Sequence, residues 1–181
     1  MLAEPLIILE SRDLKISDLS EIGDVFAECT ENSDLLLLSG KVGVGKTEFA
    51  RLIIMSIAKK ENFDIEEISS PTFSLIQSYD FQYCKISHID LYRVNGEEEL
   101  FELGIPDIFD SQITLLEWPE ILDMESLSRY VFIKIKEAKK LKEARDIKIE
   151  FFGNEWSDLI GALLGSGHFS DEKIKNRKRW I

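Results

Sequence analysis

Positive charge is scarce in this chain. Its 22 lysines and arginines face 34 aspartates and glutamates, a net charge of −12 at pH 7. Such a balance repels phosphates at long range and argues against broad binding to DNA, RNA or an anionic membrane. Cysteine is nearly absent. Cys29 and Cys84 lie far apart with no C-x-x-C spacing, so two reduced, buried thiols of a cytoplasmic protein are expected. The opening "MLAEPLIILESRD" has no basic region, and its apolar run is too short for a secretory signal. No stretch approaches the ~18 apolar residues of a membrane span. Internal repeats and low-complexity linkers are also missing. What remains, 181 residues with 44% hydrophobic composition, suits one soluble domain with a single core.

Apolar periodicity outlines a mixed α/β order. "PLIILE" (5–10) reads as a first or edge strand. "SDLSEIGDVFAEC" (17–29) places Leu19, Ile22, Phe26 and Cys29 on one helical face, with Ser17 as N-cap. "DLLLLS" (34–39) is apolar throughout, the pattern of a central strand covered on both faces. "KTEFARLIIMSIAKK" (46–60) reads as a helix. "TFSLIQSYDF" (72–81) and "YCKISHIDLY" (83–92) suggest an antiparallel hairpin. "EEELFELG" (97–104) reads as a short helix with Gly104 after its end, and "ITLLEW" (113–118) as another strand. "YVFIKIKEA" (130–138) and "RDIKIEFF" (145–152) alternate as strands with one wet face, and "EWSDLIGALLGSG" (155–167) offers a last helix. The expected fold is a P-loop NTPase-like α/β domain over residues 1–153, with a central mixed sheet, an antiparallel hairpin and helices on both faces. A C-terminal helix and weakly ordered basic tail fill 154–181.

The strongest local signal follows the leucines. "GKVGVGKT" satisfies G-x-x-x-x-G-K-[ST] at Gly40, Gly45, Lys46 and Thr47. By average residue frequencies these four positions arise by chance in about one chain in a hundred of this length. This copy also sits where the mechanism needs it, between a strand and a helix. Glycines let the backbone curl so that N–H groups converge on phosphate oxygens, and the helix N-terminus adds positive potential. Lys46 can reach β- and γ-phosphates, while the Thr47 hydroxyl can ligate Mg²⁺. The loop reads as a nucleoside triphosphate site.

Such a site needs an acid at the end of a neighbouring apolar strand. Asp90, closing "KISHID", and Glu117, closing "ITLLE", both qualify, as metal ligand or as the group that polarises water. Residue chemistry alone does not divide those roles between them. "SSPTFS" (69–74) offers the Ser70 and Thr72 hydroxyls around a stiff Pro71, where many P-loop proteins keep a nucleotide-sensing segment. Read alone it is a turn into a strand. His88, lone within a strand, reads as a packed or hydrogen-bonded residue, and Trp118 as a shield for nucleotide or as core.

In this order the motifs resemble those of the TsaE (YjeE) family, small P-loop ATPases of bacterial tRNA modification. The resemblance spans about residues 30 to 120 and rests on "GKVGVGKT", "SSPTFSLIQSY", "HIDLYRV", "EEELFELGIPDIFD" and "LLEWPE", with "EAR" at 143–145 as a weaker C-terminal element. It implies ATP and Mg²⁺ as cofactors, with Lys46 the phosphate lysine, and Thr47 and Glu117 at the metal. It gives Asp90 the position that matters for hydrolysis and brings Ser70 and Thr72 near the γ-phosphate. Nucleotide contacts are implied for Gly40, Lys41, Val42, Gly43, Val44, Gly45 and Glu48 of the loop, for Trp118 and Arg145, and for Ser11 near the chain start. The family role is to join the TsaD–TsaB pair that installs N6-threonylcarbamoyladenosine at tRNA position 37. There ATP hydrolysis, slow without partners, resets the assembly, and tRNA is met indirectly through the complex. Lys41 and the two valines depart from the family's usual acid-Leu-Gly-Ala-Gly loop. Glu48 stands where Thr or Ser is usual, placing a charge beside the metal threonine.

Two other readings compete. A small P-loop kinase acting on a nucleoside or metabolite would bring an arginine-bearing lid, and no arginine pair sits in such a segment, though Arg93 or Arg145 could reach the site. An ATP-gated docking module with incidental hydrolysis needs the same loop and differs only in turnover. A GTPase switch lacks its N-K-x-D signature here.

Overall fold

A computed structural model describes residues 4–65 and 67–169; the basic tail from 170 onward lies outside the described residues. Seven strands form one mixed sheet: β1 (Ile7–Leu14), β2 (Leu35–Ser39), β3 (Ile76–Asp80), β4 (Lys85–Asp90), β5 (Ile113–Glu117), β6 (Tyr130–Glu137) and β7 (Arg145–Phe152). Their spatial order is β1-β7-β6-β2-β5-β4-β3. β2 runs parallel to both neighbours, β5 and β6, and β4 runs parallel to β5. The β1–β7, β6–β7 and β3–β4 pairs are antiparallel. The mixed sheet and the hairpin follow the sequence expectation.

The leucine run explains why β2 is central. Successive side chains on a strand point to opposite faces. Leu36 and Leu38 enter the core beneath α1 (Ile16–Cys29), α2 (Lys46–Lys60) and α5 (Ser157–Gly165), among Phe26, Phe49, Ile53 and Leu163. Leu35 and Leu37 enter a second core with Ile89, Leu116 and the short helices α3 (Glu97–Glu102) and α4 (Ile105–Phe109). A strand buried on both sides has no polar face to show.

Several boundaries shift for local reasons. α1 starts one residue before Ser17, because the Asp18 carboxylate accepts the Lys15 N–H at 2.8 Å and so takes the capping role assigned to Ser17. β3 begins only at Ile76. The Leu75 N–H donates to the Pro71 carbonyl at 2.7 Å, and Leu75 sits at φ +64, so "PTFSL" closes a turn before the strand can start. Gly104, at φ +67, follows α3 as expected, but α4 begins directly after it. β1 extends past Glu10 to Leu14, with an irregularity between Ser11 and Leu14.

α5 shares the core of α2. Trp156, Leu159, Ile160, Leu163 and Phe169 are all buried in the cluster that holds Phe26 and Phe49. Leu163→Ala should therefore cost about 2–5 kcal/mol in denaturant unfolding, as for any large core truncation; a change below 1 kcal/mol would mean the helix is an appendage.

Candidate functional site

The C-terminal ends of β2, β4 and β5 meet the N-terminus of α2 around a cleft of about 350 Å³. Crevices outside the carboxyl ends of parallel strands are where open α/β sheets bind ligands. The loop between β2 and α2 is shaped by Gly40 at φ +149 and Gly45 at φ +105, both in the left-handed half of backbone space. Gly45 caps α2, so the first-turn N–H groups, which have no acceptor inside the helix, face the cleft end.

Lys46 is buried, and its Nζ donates to the carbonyls of Gly40 at 2.9 Å and Lys41 at 3.2 Å. The ammonium also lies 3.6 Å from the centroid of the Trp118 ring, a cation–π contact. Burial lowers its pKa, against the opposing pull of Glu117, Asp90 and Glu120. Trp118 holds a left-handed backbone (φ +62), uncommon for a bulky residue, while its N–H donates to the Leu38 carbonyl at 3.1 Å. Such strain clusters at functional sites. Tyr92 flanks the same indole, ring centroids 4.9 Å apart.

The two candidate acids stand side by side. Asp90 and Glu117 are register partners at the ends of the parallel strands β4 and β5, both buried. The Thr47 hydroxyl donates to Glu117 Oε2 at 3.0 Å, and His88 Nε2 lies 2.9 Å from Glu117 Oε1. Asp90 is held differently. Its Oδ2 accepts the Thr72 hydroxyl at 2.7 Å and its Oδ1 the Tyr92 N–H at 2.9 Å, while Ser70 Oγ is 2.9 Å from Thr72 Oγ1. The "SPTF" turn is thus tied to the end of β4.

Ten of the residues named from sequence line the cleft: Val42, Gly43, Gly45, Lys46, Thr47, Glu48, Thr72, Asp90, Glu117 and Trp118. Gly40, Lys41 and Val44 do not line it; the carbonyls of Gly40 and Lys41 accept the Lys46 ammonium. Arg145 stands behind the loop, its Nε donating to the Val44 carbonyl at 2.6 Å. Ser70 does not line the cleft and meets it through its hydroxyl contact with Thr72. Ser11 is buried in β1 opposite Ile147, among residues of another surface hollow, and does not line this cleft. Two lining residues escaped the sequence reading, Arg51 and Tyr92. Arg51 lies one turn after Thr47 on α2, a spacing that was visible. Its guanidinium is 3.6 Å from Glu48, so it offsets part of the charge that Glu48 brings beside Thr47.

Among the described residues no group of three or more His, Cys, Asp and Glu side chains could cage a metal. A hydroxyl and one or two carboxylates beside a phosphate-shaped loop instead suit Mg²⁺, which keeps waters and shares its remaining positions with substrate phosphates. Among the described residues no helix is long and apolar enough to cross a membrane.

A family model, "Threonylcarbamoyl adenosine biosynthesis protein TsaE", matches residues 15–147. The "tRNA threonylcarbamoyladenosine biosynthesis protein TsaE" of Rickettsia typhi is 34% identical over 128 residues, 71% of this chain and 86% of that protein. Its namesake in Bacillus subtilis is 29% identical over 165 residues, 90% of this chain and 98% of that one. The Rickettsia bellii namesake is 40% identical over 97 residues, and the match spans 54% of this chain and 65% of that protein, just under two thirds of it. Among solved structures, the crystal structure of Bacillus subtilis YdiB aligns with a TM-score of 0.65 over 92% of this chain and 98% of that one, at 23% identity, a likeness of fold.

Proposed function

The chain belongs to the TsaE family of threonylcarbamoyl adenosine biosynthesis proteins, and from that premise we propose that it is a Mg²⁺-dependent, ATP-hydrolysing cytoplasmic subunit that acts on the TsaD–TsaB complex. One observation carries the reading: the hydroxyl that follows the loop lysine is hydrogen-bonded to one of two adjacent strand-end carboxylates. A glycine turn serving only the fold has no need of that constellation.

When bound, ATP and Mg²⁺ supply the scissile phosphoanhydride and a cation that offsets its developing charge. The loop amides and Lys46 would hold phosphate oxygens, Lys46 giving up its contacts to the Gly40 and Lys41 carbonyls for them. Thr47 and Glu117 would hold the cation, a division favoured by the bond between them. Asp90, tethered on both oxygens by Thr72 and Tyr92, orients the attacking water and takes its proton. Trp118 covers the Lys46 ammonium, with Tyr92 against its ring. The kinase reading is weakened because neither arginine it could draw on lines the cleft: Arg145 is engaged by the Val44 carbonyl, and Arg93 lies 5.7 Å from the centroid of the Phe73 ring.

Phosphate release from ATP, measured for the chain alone and with TsaD–TsaB, tests this. Slow turnover that rises with the partners is expected. Asp90→Asn should lose about 10²–10⁴-fold in rate, as for a missing acid–base group, while still binding nucleotide. Glu117→Gln should lose activity chiefly by requiring more Mg²⁺. A rate indifferent to the partners would remove the assembly role and turn attention to phosphoryl transfer onto a small acceptor.

A further inference from the structure

His88 is entirely buried, and its contact with Glu117 is one the motif chemistry does not call for. We infer that His88 is a positioning residue that aims the Glu117 carboxylate at the divalent cation, an inference that rests on the ATP–Mg²⁺ reading of this cleft.

The argument starts from the two bonds on Glu117. Thr47 donates to Oε2 and His88 Nε2 to Oε1, so each carboxylate oxygen has one protein donor. These bonds have different duties when a cation arrives. Thr47 is itself a ligand in this reading: its hydroxyl gives a lone pair to the metal, and its proton stays on Oε2 or turns as the metal's geometry requires. The His88 N–H has no such second duty. It holds the carboxylate by its other oxygen, whichever way the Thr47 proton points. Nε2 is the donor in this pair, because a carboxylate oxygen 2.9 Å away accepts only.

The other ring nitrogen supports the same role. Nδ1 is buried with no hydrogen-bond partner among the described residues. A buried, unpaired nitrogen disfavours the fold, so a histidine serving only to fill space would be better replaced by leucine. Among the described residues the ring's single polar contact is Glu117. Topology makes that contact: β4 and β5 are parallel neighbours, His88 points to the face of the sheet that α2 covers, and Glu117 lies two residues beyond its register partner Leu115, on the same face. Histidines and carboxylates that orient metal ligands from behind usually matter about 10–100-fold for metal affinity.

The test separates cation from nucleotide. Mn²⁺ binding to the chain saturated with a non-hydrolysable ATP analogue is followed by electron paramagnetic resonance. Nucleotide affinity without metal is followed in EDTA with a fluorescent analogue, and folding by thermal unfolding. His88→Leu should weaken Mn²⁺ binding about 10–100-fold with metal-free nucleotide affinity unchanged. His88→Gln, whose amide nitrogen overlays Nε2, should restore most of the affinity; His88→Asn, one bond shorter, should not. If His88→Leu fails to fold, the contrast between Gln and Asn decides alone. Equal Mn²⁺ affinity in wild type and variants, or equal behaviour of Gln and Asn, overturns the inference. If the wild-type chain shows no nucleotide-dependent Mn²⁺ site at all, the ATP–Mg²⁺ reading fails first and the role of His88 falls with it.

Discussion

Lys46→Ala is expected to lower ATP affinity and hydrolysis together by roughly 10²–10⁴-fold, because two charge-assisted hydrogen bonds to phosphate, about 1.5–3 kcal/mol each, disappear. The residue is well placed for so large an effect. Its ammonium is buried against Trp118 and hydrogen-bonded to two loop carbonyls, so it is pre-aimed across the loop and little side-chain freedom is left to lose on binding. The same contacts predict a secondary consequence. Without the lysine those carbonyls lose their donor, and the empty loop should become more accessible to hydrogen exchange. Titration with a fluorescent ATP analogue measures the first effect. An unchanged affinity would mean that phosphate does not reach this loop.

The second large effect concerns the frame of the site. At Gly40 an added Cβ would come 2.5 Å from the Ile135 carbonyl and 2.9 Å from a Val44 methyl, on a backbone at φ +149. A backbone oxygen inside a paired strand cannot move aside without disturbing β6. Gly40→Ala should therefore destabilise the domain by about 3 kcal/mol or more, a drop in Tm on the order of 6–12 °C for a chain of this size. Gly43 gives the internal comparison. Its φ is +74, but nothing lies within 4 Å of a Cβ there. Gly43→Ala should cost only the left-handed backbone term, about 1–2 kcal/mol. Similar losses at both positions would show that conformation, and not the contact with β6, governs the loop.

Where the signal was local, the sequence carried the fold well. The run of leucines marked a strand buried on both faces, and the loop glycines with the lysine-ended helix marked α2 at Lys46–Lys60. "RDIKIEFF" matched β7 residue for residue. Failures came where short-range competition or long-range pairing decided the outcome. Asp18 outcompeted Ser17 for the cap because a carboxylate in the first turn reaches back to the Lys15 N–H. α4, five residues long, offers too few positions for a helical period to register. The site was legible as a set of residues, not as an arrangement. Asp90 and Glu117 become neighbours only through the β4–β5 pairing, and His88 meets Glu117 across 29 residues of sequence. No local spacing encodes either contact. Nor does any spacing show that Arg145, from the far side of the sheet order, braces the loop through the Val44 carbonyl.

Equilibrium titration of the wild-type chain with ATP, in the presence and absence of Mg²⁺, tests the central claim most directly. The account predicts saturable binding of one ATP per chain, tightened by Mg²⁺, with the Mg²⁺ gain lost in Glu117→Gln. Absence of saturable ATP binding, or binding that ignores both Mg²⁺ and Glu117, would contradict it.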